Sequence, residues 1–366
     1  MKKVMLVFGT RPEAIKMCPL AKELRSRQGF LTVVCVTGQH KQMLRGVLST
    51  FGVSADHDFS LMKEDQTLTD VTVGILLRME KVLKAEKPSL VLVHGDTTTA
   101  FAASLACFYQ KIPVGHVEAG LRTYNKSSPY PEEFNRCAVS ALADLHFAPT
   151  EQAVNNLLRE GRNAESIFMT GNTVMDALAT TVRTDYTHPT LEWAMEAEKW
   201  VLVTAHRREN VGKAMRGMFR AIRRVLAEHE NVRAVYPVHP APAVRRIATE
   251  ELGGCEQIRM IEPLDVVDFH NFLARCFFVL SDSGGIQEEA PALGKPVLLM
   301  RDTTERPEGI IGGGVKLIGT EQESVYKNFA RLLEDGQEYR AMSRAKNPYG
   351  DGRASARIAD IIEELL

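Results

Sequence analysis

The chain has 366 residues, 45% hydrophobic and 25% charged, with a formal net charge of -1. That is the balance of a globular protein, and the length suits two domains of about 150–200 residues better than a single core. No dense Lys/Arg block, no uncharged apolar stretch near the roughly 20 residues of a membrane span and no Cys-x-x-Cys pair occurs, which argues against nucleic-acid binding, a membrane span and a zinc ribbon.

The first predicted element is a strand over 3–8. Its apolar run follows two lysines but is too short for a signal peptide, and it leads straight into Gly9-Thr10-Arg11-Pro12-Glu13. Strands over 31–37, 89–93, 112–117, 145–148 and 166–169 follow, alternating with helical stretches that include one over 97–109. The second half repeats the alternation, with strands over 200–205, 233–238, 257–261, 277–281, 296–300 and 315–318. A helix over 212–229 carries Met215, Met218, Phe219, Ile222, Val225 and Leu226 at helical spacing, and a last helix covers about 352–366. Strands without internal polar alternation, separated by helices, predict parallel sheets covered on both faces. The fold class expected is therefore α/β, with two doubly wound, Rossmann-like domains facing a cleft. The expected division is 1–170 and 171–350, with 351–366 packing back on the first domain. Six scattered cysteines in mostly apolar contexts fit reduced thiols in a cytoplasmic protein.

Ligands of open parallel sheets bind at the carboxyl ends of the strands, so the loops after strands are where chemistry is sought. Leu280-Ser281-Asp282-Ser283-Gly284-Gly285 ends a strand in a small-residue turn that opens a helix, and free amides there make a phosphate cradle. Taken alone, Ser-Gly-Gly fits a tight turn with a capping serine equally well. Glu289, one turn further in, is placed to accept hydrogen bonds from ribose hydroxyls. Three carboxylates follow first-half strands: Asp96 in His94-Gly95-Asp96, Glu118 in His116-Val117-Glu118, and Glu132 beside Glu133. Asp96 also suits the N-cap of the 97–109 helix, and the two adjacent glutamates suit a helix start. Glu118 is harder to explain structurally, because a carboxylate at an apolar strand end is costly unless paired or used. Acids converging on one cleft are what proton transfer at a sugar carbon requires. Arg11, Lys16, His206, Arg207, Arg208 and Arg306 supply the cationic side, with Arg11 and His206 in the first post-strand loop of each half. Dinucleotide, Walker, serine-hydrolase and zinc-protease motifs are absent.

Together, Phe8–Lys16, His94–Thr99, His116–Thr123, Ser128–Arg136, Thr170–Asp176, Thr204–Asn210, Asp282–Pro291, Arg301–Glu308 and Asn347–Gly352 resemble the non-hydrolysing UDP-N-acetylglucosamine 2-epimerases, in order and through nearly the whole chain. The resemblance implies the B-type glycosyltransferase fold, a homodimer, no cofactor and no metal. It implies interconversion of UDP-N-acetylglucosamine and UDP-N-acetylmannosamine through 2-acetamidoglucal, supplying cell-surface polysaccharide. It assigns catalysis to Asp96, Glu118, Glu132 and His206. The UDP-sugar would be held by Arg11, Lys16, Asp96, Glu118, His206, Phe269, Ser283, Gly284, Gly285, Glu289 and Arg306. A second UDP-N-acetylglucosamine, as activator, would meet Gln39, His40, Gln42, Arg207 and His239. Leu264 stands where some members have Gln, Asp65 where Arg is usual, and Ala241 where Asn is frequent; the Asp65 change is expected to weaken activation. The competing expectations are a glycosyltransferase of the same fold, a hydrolysing epimerase and a non-enzymatic nucleotide-sugar sensor.

Overall fold

The apolar run Lys2–Phe8 forms the central strand β1, with Val4 to Phe8 entirely inaccessible to solvent. A strand covered on both faces has no solvent side, which is why its sequence shows no alternation. The computed structural model describes residues 1–38, 41–61 and 66–366, with the side chains of 41–43 also outside the description. Gln39, His40, Asp65 and the side chain of Gln42 therefore lie outside the described residues.

The chain divides into two units, Met1–Thr180 with Tyr349–Leu366, and Thr181–Pro348. In the first unit β1 is joined by β2 (Phe30–Val36), β3 (His57–Asp58), β4 (Leu90–His94), β5 (Val114–Val117), β6 (Leu145–Ala148) and β7 (Ile167–Met169). The seven strands are all parallel, in the order β3-β2-β1-β4-β5-β6-β7. The last helix, Ala354–Leu365, belongs to this unit, where Arg27 meets its Asp360 at 2.6 Å and Glu363 at 2.9 Å.

The second unit contains β8 (Lys199–Thr204), β9 (Val232–Pro237), β10 (Ile258–Ile261), β11 (Phe278–Ser281), β12 (Val297–Leu299) and β13 (Val315–Leu317), parallel in the order β10-β9-β8-β11-β12-β13. One face carries the helix Lys213–Glu228, whose Met215, Met218, Phe219, Ile222, Val225 and Leu226 all join the core. The other face packs around Trp200, Leu202, Phe272 and Val279. Each of these two sheets is the doubly wound parallel sheet expected from the sequence.

Strand order reverses between β1 and β4 in one unit and between β8 and β11 in the other. Such switch points leave a crevice at the carboxyl ends of the two strands, because the connecting helices depart to opposite faces. The loops that open there begin at Gly9, Gly95, Ala205 and Asp282.

Candidate active site

In the first unit the loop after β1 closes on Glu13. Thr10 caps the helix Arg11–Ser26 in a reciprocal capping box with Glu13. Glu13 Oε2 also accepts from Gly9 N at 3.0 Å, while its Oε1 accepts from the Thr97 hydroxyl at 2.7 Å. Burial pushes the Glu13 carboxyl up, against these hydrogen bonds. The residue thereby ties the loop after β1 to the loop after β4. A Cβ at Gly9 would lie 2.1 Å from the Thr37 hydroxyl and 2.4 Å from that of Thr99, so only glycine permits this approach. Arg11 starts the helix and Lys16 lies inside it.

Asp96 follows Gly95, whose φ of 61° turns the chain sharply at the end of β4. The helix capping residue is Thr97, whose hydroxyl accepts from Ala100 N, and not Asp96. Asp96 is instead paired with the buried guanidinium of Arg136, and its carbonyl accepts from Asn135 Nδ2 at 3.0 Å. Beneath it, His116 bonds to the Gly95 carbonyl at 2.8 Å through Nε2. Full burial lowers the His116 pKa to about 3, so the ring is neutral and its proton sits on Nε2, the nitrogen facing the carbonyl.

Glu118 follows β5 in the left-handed region, φ 61°, uncommon for a non-glycine residue. Its carboxylate pairs with Lys16 and accepts from Asn172 Nδ2 at 2.8 Å, with His94 Nε2 at 3.6 Å. The adjacent glutamates divide sharply. Glu133 is buried, accepting from the backbone N–H of Thr123 and of Tyr124 and lying 3.4 Å from Arg136. Glu132 Oε2 is buried with no hydrogen-bond partner among the described residues. Glu132 and Arg136 are one turn apart on the helix Glu132–Leu142, so Glu132 lies on the face whose arginine holds Asp96.

In the second unit the loop after β8 carries His206 and Arg207. His206 stacks on His239 with centroids 5.4 Å apart and planes 12° from parallel. Burial lowers the His206 pKa; Asp282 opposes the shift, and His239 and Arg207 add to it. After β11, Ser283 N donates to Ser281 Oγ at 2.9 Å, and Gly285, rather than a serine, occupies the cap position of the short helix Ile286–Ala292. A Cβ at Gly284 would stand 3.0 Å from Arg306 Nη1 and 3.3 Å from Arg207 Nη2. Two guanidinium groups thus border the turn.

Arg306 is buried between Glu288 and Glu305. Burial pushes Glu305 up, but Arg306 and Arg301 outweigh it and hold the carboxyl at about 2. Such bracing fixes a guanidinium in one orientation. Glu289 Oε2 lies 3.8 Å from His270 Nε2, while Thr181 Oγ1 meets His270 Nδ1 at 2.6 Å. Phe269 is half-buried on the helix Val266–Arg275, and Leu264 is buried.

Several residues beyond those expected hold this geometry together: Glu13, Arg136, Asn172 and Asp282. For Glu13 the signal was present, since Thr10-x-x-Glu13 is a capping-box pattern. For Asp282 it was the same as for Glu118, an acid at the end of an apolar strand. Arg136 and Asn172 carry no local signal. Among the described residues no group of three or more His, Cys, Asp or Glu is arranged to hold a metal ion, and no helix is long and apolar enough to cross a membrane.

Residues 22–363 match the family model for UDP-N-acetylglucosamine 2-epimerase. The UDP-N-acetylglucosamine 2-epimerase of Bacillus subtilis strain 168 is 58% identical over 100% of this chain and 95% of its own. The S. aureus MnaA–UDP structure superposes with a TM-score of 0.95 at 51% identity, covering 100% of this chain and 96% of that one. The UDP-N-acetylglucosamine 2-epimerase of Neisseria meningitidis, solved with UDP-N-acetylglucosamine bound, gives a TM-score of 0.94 at 46% identity, covering 99% and 100%.

Proposed function

The chain belongs to the UDP-N-acetylglucosamine 2-epimerase family, and we propose that it interconverts UDP-N-acetylglucosamine and UDP-N-acetylmannosamine without net hydrolysis, supplying cell-surface polysaccharide synthesis. The observation that carries the reading is the set of acids gathered after β4 and β5, with Asp96 paired to Arg136, Glu118 paired to Lys16, and Glu132 one helical turn from that arginine. Positioned carboxylates of this kind are what removal and return of a proton at a sugar carbon require.

In this reading the second unit holds the nucleotide. Amides of Ser283–Gly285, Arg306 and His206 receive the diphosphate, Glu289 the ribose hydroxyls, and Phe269 is a further contact to the UDP-sugar. Arg11 and Lys16 are further contacts to the UDP-sugar. One carboxylate among Asp96, Glu118 and Glu132 removes the proton from carbon 2. The C1–O bond breaks with its electron pair leaving on UDP, and 2-acetamidoglucal forms. UDP oxygen then returns to carbon 1 while a second carboxylic acid protonates carbon 2 from the opposite face. The cationic groups stabilise the charge that develops on the departing diphosphate.

Incubation with UDP-N-acetylglucosamine in deuterated water, followed by NMR, tests the reading. Deuterium should enter carbon 2 as UDP-N-acetylmannosamine accumulates. Release of free N-acetylmannosamine and UDP would instead mark a hydrolysing enzyme, and epimer formation without deuterium would exclude proton exchange with solvent. The proposal extends to regulation by a second UDP-N-acetylglucosamine at Arg207, His239, Gln39, His40 and Gln42. Pure UDP-N-acetylmannosamine should then react with a lag that traces of UDP-N-acetylglucosamine abolish, whereas an immediate full rate would remove the activator.

A further inference from the structure

We propose that Asp282 is a positioning residue for the reaction, its carboxylate anchoring the loop after β8 and so fixing the His206 imidazole and the Arg207 guanidinium beside the Ser283–Gly285 turn. This rests on the reading in which His206 and that turn receive the diphosphate.

Asp282 is fully buried at the end of β11. A buried carboxylate is tolerated only when its oxygens are satisfied. Here the donors to them come from one loop: His206 N donates to both oxygens at 3.0 Å, Arg207 N at 2.9 Å and Asn210 Nδ2 at 3.1 Å. Two successive backbone N–H groups closing on one anion form a nest, and the nest here fixes the loop's own conformation. The alignment is reinforced by parallel pairing, in which Ser281 lies opposite Thr204. Their hydroxyls are 2.7 Å apart, and Asp282 N donates to the Thr204 carbonyl at 3.1 Å.

The same residue reaches both functional groups, the imidazole through its carboxylate and the guanidinium through its backbone carbonyl. His206 Nδ1 lies 3.6 Å from Asp282 Oδ1, and Arg207 Nε donates to the Asp282 carbonyl at 3.2 Å. The charged and titratable groups that face the imidazole are Asp282 after β11, His239 after β9 and Arg207 on its own loop. Asp282 alone among them favours the imidazolium. One residue thus links the loop that carries the histidine to the turn that cradles phosphate. Asparagine would keep the shape of Asp282 but replace one acceptor oxygen by an amide N–H₂ directed at N–H donors.

The test compares Asp282→Asn and Asp282→Ser, each alone and combined with His206→Gln. Displacement of a positioned group by about 1 Å costs on the order of 100-fold in rate, so Asp282→Asn should lower kcat by about 100-fold with a smaller change in KM. In ¹⁵N-histidine-labelled protein, the His206 titration, assigned by its absence from His206→Gln, should move to lower pH in both Asp282 variants. In the His206→Gln background Asp282→Asn should add far less than it costs alone, as expected of groups acting together. If Asp282→Asn does not fold, Asp282→Ser carries the test, since its hydroxyl accepts one N–H without presenting an amide. An unmoved His206 titration, or an undiminished Asp282 effect in His206→Gln, would overturn the proposal. Wild-type turnover in His206→Gln would overturn the parent reading instead, and the titration alone would then decide whether Asp282 holds the imidazole.

Discussion

Lys16 and Glu118 stand 102 positions apart in sequence and form an ion pair in which each side chain is only 8% exposed. The lysine comes from the helix after β1 and the glutamate from the end of β5, two strands away across the switch point. Asn172 shares the same carboxylate oxygen. A proton-transfer candidate is thereby held and oriented by a residue that is itself a candidate ligand for the sugar nucleotide.

Lys16→Met should destabilise the protein by about 3–5 kcal/mol, the usual consequence of removing one partner of a buried ion pair. Asn172 would still donate to Glu118, but a neutral donor does not replace an ammonium group. Urea denaturation measures the loss; a change below about 1 kcal/mol, the range of an exposed pair, would show that the pair contributes little to folding.

The amide variants Asp96→Asn, Glu118→Gln and Glu132→Gln should each lower kcat at least about 100-fold, as expected when a general acid or base is lost. Circular dichroism should show the fold retained. Glu133→Gln should lower the melting temperature, because Glu133 accepts from Thr123 and Tyr124 N–H groups, and so should Glu118→Gln, which breaks the buried pair with Lys16. Near-normal turnover in the first three variants would remove the site assignment.

Gly120 has a φ of 92°, and a Cβ there would lie 2.3 Å from the Ala153 carbonyl oxygen. Both neighbour and conformation are backbone features that cannot easily move, so Gly120→Ala should destabilise by at least about 2 kcal/mol. Gly46, in the helix Lys41–Phe51, is the control, since a Cβ added there would meet nothing within 4 Å. Gly46→Ala should stabilise by about 0.5–1 kcal/mol. Equal melting temperatures for the two variants would contradict the local geometry.

Burial lowers the His116 pKa to about 3 and the His146 pKa to about 4, against 6.5 for a free histidine. Between the folded and free values the unfolded chain binds protons that the native state refuses, so stability rises with pH. The contribution is complete above about pH 6.5 and is lost as pH falls toward 4 for His146 and 3 for His116. His146→Phe should therefore make the dependence shallower between pH 6.5 and 4. Urea midpoints across that range measure it, and an unchanged slope would show that burial does not keep His146 neutral in the native state.

Much of the fold was legible because buried parallel strands write themselves as unbroken apolar runs. Every strand expected from such a run is present, with no end shifted by more than two residues. The strand without warning is β3, His57–Asp58, two polar residues at the sheet edge whose pairing with Cys35 and Val36 has no apolar signature. At the capping position before the helix Thr98–Tyr109, Asp96 and Thr97 are both competent by residue type. Tertiary contact separates them, since Arg136 takes the aspartate and leaves the cap to the threonine.

By itself, then, the sequence determined the α/β class, the parallel sheets and the post-strand loops in which acids, cations and glycines collect. These follow from periodicity and local propensity, which act over a few residues. Tertiary structure alone decided that Glu133 is taken up by backbone N–H groups while Glu132 Oε2 is left without a partner among the described residues, that Lys16 meets Glu118, and that Asp282 anchors the His206 loop. Those outcomes depend on which distant side chain arrives to satisfy a buried charge, and desolvation makes that choice between partners that neighbouring residues in the sequence do not specify.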